Sequence, residues 1–175
     1  RIYCCGSTGF QREDKELIEW YKTQIKKLPI TLHMNTEITS LSEIQADVDR
    51  IATGAATSKF VPGFEKGIEA IDYLLGKKEV GTKVAVIGGG LTGCEIAYDL
   101  AKKGKEPFVV EMTEDLIKAL GICAANSSCL RDLLRYYKFG LSGEYLKEIQ
   151  DHNVVILTPD GEKVIDCDSV VLSVG

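Results

Sequence analysis

No apolar run in this 175-residue chain approaches the roughly 20 residues needed to cross a bilayer, which excludes a membrane-spanning helix. Clustered basic residues are missing too. The 21 Lys and Arg stand against 26 Asp and Glu, for a formal charge of -5, and the lysines are scattered over expected helix faces. Nucleic-acid affinity needs clustered cations that displace counterions, so no nucleic-acid partner is expected. Metal-ligand spacing is also lacking. Cys4, Cys5, Cys94, Cys123, Cys129 and Cys167 contain no C-x-x-C pair and have only His33 and His152 to join them, so neither a metal site nor a redox-active dithiol is expected. Reduced thiols of a cytoplasmic protein are the simpler reading. An initiator methionine and an apolar leader are absent as well. The chain opens on Arg1-Ile2-Tyr3-Cys4-Cys5 and is read as a fragment, or as a chain whose early part is missing. No internal repeat or low-complexity segment occurs.

What remains suits a compact α/β protein, with 45% hydrophobic and 27% charged residues. Its length allows one good core, or one domain plus part of another, so multi-step chemistry would borrow groups from outside it. In residues 13–27, Leu17, Ile18, Tyr21 and Ile25 recur at helical spacing, with acids early and lysines late, which predicts an amphipathic helix stopped by Pro29. Strands are expected at Ile30-Thr31-Leu32-His33-Met34 and over 48–55. The spacing of Ile68, Ile71, Leu74 and Leu75 predicts a helix over 65–75, capped by Gly76. The charged stretch 77–83 is read as a boundary, dividing a segment 1–76 from a domain 77–175.

The pattern then becomes denser. Val84-Ala85-Val86-Ile87 reads as a short buried strand, followed at once by Gly88-Gly89-Gly90-Leu91-Thr92-Gly93 and a helix carrying Ile96, Ala97, Leu100 and Ala101 on one face before Gly104. Phe108-Val109-Val110-Glu111 is the next strand, completing a βαβ unit with the usual right-handed crossover. Asn126-Ser127-Ser128 offers cap chemistry for a helix carrying Leu130, Leu133, Leu134 and Tyr137. Three strand-like runs, separated by Asp151-His152-Asn153 and Pro159-Asp160-Gly161, predict a β-meander. A buried strand, Ser169-Val170-Val171-Leu172-Ser173-Val174-Gly175, ends the chain.

A lone G-x-G-x-x-G is a weak signal, but here it leaves a strand and opens a helix. Gly88 permits the tight turn, Gly90 lets a pyrophosphate approach the backbone, and Gly93 lets the helix pack on the strand. The phosphates would sit at the positive helix N-terminus. Glu111 stands 23 residues after Gly88, where a carboxylate can accept the adenosine ribose hydroxyls. It would repel the 2′-phosphate of NADP, and Met112 and Thr113 bring no guanidinium to offset that, so NAD(H) is favoured over NADP(H). The plainer alternative makes Glu111 a solvated strand end. The fingerprint itself does not separate an NAD site from an FAD site.

The order of Ile51-Ala52-Thr53-Gly54-Ala55, Val61-Pro62-Gly63, Asp72-Tyr73-Leu74-Leu75-Gly76, residues 84–95 and residues 169–175 resembles that of flavoproteins with two dinucleotide domains. In those, an Ala-Thr-Gly segment belongs to the FAD domain and the nicotinamide domain follows it, which makes the Gly88 loop the nicotinamide one. Asn35-Thr36-Glu37, the stretch 87–97 with its Leu-Thr-Gly-Cys-Glu-Ile-Ala, and Cys123-Ala124-Ala125-Asn126-Ser127 resemble more closely the clostridial-type 2-enoate reductases. These are NADH:flavin oxidoreductases related to Old Yellow Enzyme, 2,4-dienoyl-CoA reductase and trimethylamine dehydrogenase. The resemblance covers most of the chain and is patchy near 40–49 and 140–144.

The resemblance implies a Rossmann-like NAD(P)-binding domain at 77–175 and a partial FAD-binding segment at 1–76. It further implies FAD in the complete protein, and an FMN-bearing TIM barrel with a 4Fe-4S cluster in parts not present here. The implied role is electron entry, NADH reducing FAD with electrons passing through the cluster and FMN to an enoate-like double bond. By resemblance, Glu95 lies near the nicotinamide and orients it, although a helix-first-turn acid stabilised by the dipole explains it equally well. Gly175 would meet the nicotinamide, and Thr53 and Gly54 would touch FAD. No side chain need act as acid or base, because hydride chemistry belongs to the cofactors. The competing readings are a non-catalytic module holding ADP or NAD structurally and a disulfide reductase, for which the adjacent Cys4 and Cys5 would make only a strained pair. A homo-oligomer is compatible with each reading.

Overall fold

The structure, a computed structural model, describes residues 12–54, 57, 60–118, 124–137 and 141–174. The first helix, α1 (Arg12–Lys27), ends with Lys26 and Lys27 in its last turn, where cations suit the helix dipole. Beyond it the expected strand at 30–34 does not form, and the one expected over 48–55 does not form within its described residues, 48–54. Residues 28–54 run as irregular chain with a 3-10 turn at Leu41–Glu43, and Met34, Val48 and Ile51 are exposed. Alternating apolar residues become a strand only where a neighbour takes up their backbone groups. Among the described residues no strand lies beside either stretch.

The expected helix over 65–75 is divided into three pieces. A 3-10 turn (Phe64–Lys66) is followed by a two-residue strand, β1 (Ile68–Glu69), and then by α2 (Ala70–Leu74). Tertiary pairing overrides the helical spacing, because Ile68 and Glu69 add to the edge of a sheet opposite Val171 and Leu172. The cap at Gly76 forms as expected. Gly76 is left-handed, its N–H bonds the Tyr73 carbonyl, and the Lys77 N–H returns to Asp72 in a Schellman closure.

The dense region folds as the sequence predicts: β2 (Lys83–Ile87), α3 (Leu91–Lys102) and β3 (Glu106–Glu111). Helix α4 (Ala124–Tyr137) already includes residues 126–128, so the expected cap is inside it. Ser127 Oγ donates to the Ala124 carbonyl at 3.1 Å, a bond back to its own helix. Then come β4 (Leu141–Ser142), the meander β5 (Tyr145–Ile149), β6 (Asn153–Thr158) and β7 (Gly161–Asp166), and β8 (Ser169–Leu172).

Two sheets result. One is parallel, ordered β1-β8-β2-β3-β4, and the other is the antiparallel β5-β6-β7. In the parallel sheet β2 is central, with Val84 to Ile87 opposite Ser169 to Leu172 on one side and Lys83 to Ile87 opposite Glu106 to Val110 on the other. Alternation along these strands makes two cores. Ala85, Ile87, Val110, Val170 and Leu172 pack with Ile149, Val154 and Ile156 of the meander, and with Phe64. Val84, Val86, Val109 and Val171 pack with Ile96, Ala97 and Leu100 of α3. Burial on both faces explains why the parallel strands read as unbroken apolar runs. No helix among the described residues is long and apolar enough to cross a membrane.

Candidate nucleotide-binding site

The site begins where β2 ends. Gly88 has φ +101, and its N–H bonds the Val110 carbonyl at 2.9 Å, so the chain turns sharply while still tied to β3. A Cβ on Gly93 would stand 1.9 Å from the Gly88 carbonyl oxygen, which is the close helix-to-strand approach expected of the third glycine. At Gly90 a Cβ would meet nothing within 4 Å. The loop is therefore open at Gly90, as a pyrophosphate lying on the backbone there would require. The first α-helical bond runs from Cys94 N–H to the Gly90 carbonyl at 3.0 Å, so the N–H groups of Leu91, Thr92 and Gly93 point out of the start of α3 with no acceptor inside it. This is an anion cradle made of backbone.

Glu111 closes one side. Its Oε2 accepts the Gly89 N–H at 2.6 Å and its Oε1 accepts the Thr113 N–H at 2.8 Å. The carboxylate therefore faces the glycine loop across the sheet edge rather than projecting as a solvated strand end, and its remaining lone pairs can serve ribose hydroxyls. Met112 beside it is exposed. Glu95 lies half-buried on α3, and Leu91 and Thr92 occupy that helix's first turn.

The other expected site residues are Thr53 and Gly54, read as FAD contacts in the complete protein, and Gly175. Thr53 and Gly54 lie on exposed irregular chain, and a Cβ on Gly54 would meet nothing within 4 Å. Gly175 lies outside the described residues, though Ser173, two positions earlier, donates its N–H to the Ile87 carbonyl at 2.8 Å.

The fold also supplies residues that sequence reading missed. The loop 112–118 folds back over Gly89, where Leu116 Cδ2 would lie 2.5 Å from a Cβ and the Ile117 N–H reaches the Gly89 carbonyl at 2.7 Å. Arg131, from α4, grips both Asp115 carboxylate oxygens at 2.7 Å and holds that carboxyl below its usual range. An Asp and an Arg sixteen positions apart are an ordinary feature of a sequence, and nothing local marks this pair. Cys94 is buried beside the loop. Burial first, and the Glu111 charge second, push its thiol up to about 12, so it stays protonated and donates to the Gly89 carbonyl. Cys94, Cys129 and Cys167 are all free thiols. Among the described residues no group of three His, Cys, Asp or Glu is placed to hold a metal ion.

Residues 40–175 match the family model described as pyridine nucleotide-disulphide oxidoreductase. The chain belongs to this family. Over 97% of its length it is 34% identical to a cinnamate reductase of Clostridium sporogenes, of which it covers 26%. Over 90% of its length it is 28% identical to an NADH oxidase of Thermoanaerobacter brockii, again covering 26%. Among solved structures, a 2-naphthoyl-CoA reductase in complex with 2-naphthoyl-CoA superposes with a TM-score of 0.83 at 30% identity, over 99% of this chain and 27% of that one. The chain thus spans about a quarter of the length of these relatives. The matches agree with the kinship read from the sequence, to the FAD/NAD(P)-binding region of enoate-reductase-type proteins.

This family implies FAD and NAD(P) as cofactors. The glycine loop, the N-terminus of α3 and Glu111 fit a pyridine nucleotide.

Proposed function

We propose that this pyridine nucleotide-disulphide oxidoreductase chain is the NADH-binding module of an enoate-reductase-like flavoprotein. The observation that carries the reading is the open backbone at Gly90, set between the N-terminus of α3 and the Glu111 carboxylate. Bound NADH would supply a hydride to FAD, with electrons continuing through an iron-sulfur cluster and FMN, in a TIM-barrel domain beyond this chain, to an unsaturated substrate. The chain's own residues bind and orient. N–H groups of Leu91, Thr92 and Gly93 would take the pyrophosphate charge, Glu111 would accept the adenosine ribose hydroxyls, and Glu95 would lie toward the nicotinamide. Glu111 also disfavours a 2′-phosphate by like-charge repulsion, and the guanidinium that the fold brings to the adjoining loop, Arg131, is already paired with Asp115.

Titration of the purified chain with NADH and NADPH tests this reading. NADH is expected to bind the more tightly, and Glu111→Ala to narrow the gap; equal affinity of the wild type for both would overturn the cofactor assignment. In the whole flavoprotein, rapid bleaching of FAD by NADH is expected. Binding without bleaching would favour a structural nucleotide module instead.

A further inference from the structure

We propose that Arg131 is a positioning residue of the nucleotide site, acting from α4 through the loop 112–118 to set Gly89. The proposal rests on the reading that the glycine loop receives a dinucleotide.

Ile117 carries the first clue. It has φ +59, a left-handed backbone that a β-branched residue adopts only when its surroundings impose it. Its side chain is buried with Cys94, Leu130 and Leu134. Both its backbone groups are engaged, the N–H by the Gly89 carbonyl at 2.7 Å and the carbonyl by Arg131 Nη2 at 3.4 Å. The strained residue is thus the link between α4 and the glycine loop.

Following the bonds outward gives a closed circuit. Arg131 holds Asp115 through both carboxylate oxygens; the Asp115 carbonyl accepts Thr113 Oγ1 at 2.8 Å; the Thr113 N–H bonds Glu111; Glu111 accepts the Gly89 N–H; and the Gly89 carbonyl accepts Ile117. Gly89 is therefore fixed at both its N–H and its carbonyl, in the middle of the loop that would lie under the pyrophosphate. The Cys94 thiol adds a second donor to the same carbonyl at 3.3 Å. Of the groups in the circuit, Arg131 is the one supplied from a separate helix, so the placement of α4 decides whether the circuit closes.

An ion pair with Asp115 more than half exposed contributes little to stability. Its use here is directional. Nη1 alone meets both carboxylate oxygens while Nη2 turns to the Ile117 carbonyl, so two nitrogens of one rigid plane tie Asp115 to Ile117, which the single nitrogen of a lysine does not do.

The test compares Arg131→Met, Arg131→Lys and Asp115→Ala in the full chain by amide hydrogen exchange at Gly89 and Ile117 without nucleotide, NADH affinity and thermal melting. Each variant is expected to melt close to wild type, to exchange faster at both amides, and to bind NADH about tenfold more weakly. The double variant Arg131→Met with Asp115→Ala is expected to be no weaker than either single one, since both break the same link. Exchange and affinity both unchanged would overturn the proposal. So would a wild-type-like Arg131→Lys, which would make charge alone sufficient, or weaker binding with unchanged exchange, which would place Arg131 on the nucleotide itself. Faster exchange with unchanged affinity would equally sink it. If Arg131→Met fails to fold, Asp115→Ala alone carries the test, because it removes both acceptor oxygens from the pair's more exposed side. Should the wild type not bind NADH, the functional reading fails, while the exchange rates still report on the circuit.

Discussion

A Cβ on Gly93 would lie 1.9 Å from the carbonyl oxygen of Gly88, whereas one on Gly90 would touch nothing within 4 Å. Two glycines three residues apart in one motif thus have opposite surroundings, one packed against the end of the strand and one open to solvent. Gly93→Ala is expected to lower stability by about 1–3 kcal/mol through overpacking of the helix against the strand. Gly90→Ala, at φ -68, is expected to melt like wild type and to lose NADH affinity. Equal melting of the two variants would show that the loop does not divide its work this way.

Cys94 is buried beside Gly89 with its thiol raised to about 12, mainly by burial. Alkylation of the native protein at pH 8 is expected to label the exposed Cys129 and to spare Cys94 until the protein is denatured. The folded state holds this proton more tightly than the unfolded state does. The associated stability is therefore complete below the ordinary value of 9.0 and is lost as pH rises from there toward about 12. Within that window wild-type stability is expected to fall by up to about 1.4 kcal/mol per pH unit more than that of Cys94→Ala, measured by urea unfolding. Parallel pH profiles would count against it.

Tyr73 of α2 donates to Asp99 of α3 at 3.0 Å, and Lys103 reaches the same carboxylate oxygen at 2.6 Å while lying 5.3 Å from the Tyr73 ring centre. This cluster joins the segment before residue 77 to the helix that follows the glycine loop. Tyr73→Phe keeps the ring and removes two hydrogen bonds, the one its hydroxyl gives to the buried Asp99 carboxylate and the one it accepts from Lys103 Nζ at 3.2 Å, so a loss of about 1–3 kcal/mol is expected. Asp99→Ala is expected to cost more, since it removes the acceptor shared by both partners. A Tyr73→Phe variant as stable as wild type would mean that Asp99 is satisfied without Tyr73.

The parts legible in the sequence are those decided within a few turns of chain. Val84-Ala85-Val86-Ile87 followed by three glycines, then Ile96, Ala97 and Leu100, dictated β2, the turn and α3; Pro159-Asp160-Gly161 marked the meander's turn between β6 and β7. Where the reading failed, a distant partner was decisive. Ile68 has helical spacing to Ile71, yet Val171 draws it into the sheet, and the alternating residues at 30–34 have no neighbouring strand among the described residues to pair with.

The same division applies to the site. The glycine spacing and the position of Glu111 follow from local chemistry: a tight turn, a helix N-terminus and an acid at a strand end, all within 24 residues of contiguous chain. The grip on Gly89 does not. It depends on Ile117 taking a left-handed backbone and on Arg131 arriving from α4, and no propensity of either residue favours that. Local sequence by itself determined the glycine turn, the start of α3 and the acid beside them. Packing of α4 and the loop 112–118 decided how firmly the backbone beneath it is fixed, because only tertiary contacts can hold a β-branched residue where its own sterics oppose it.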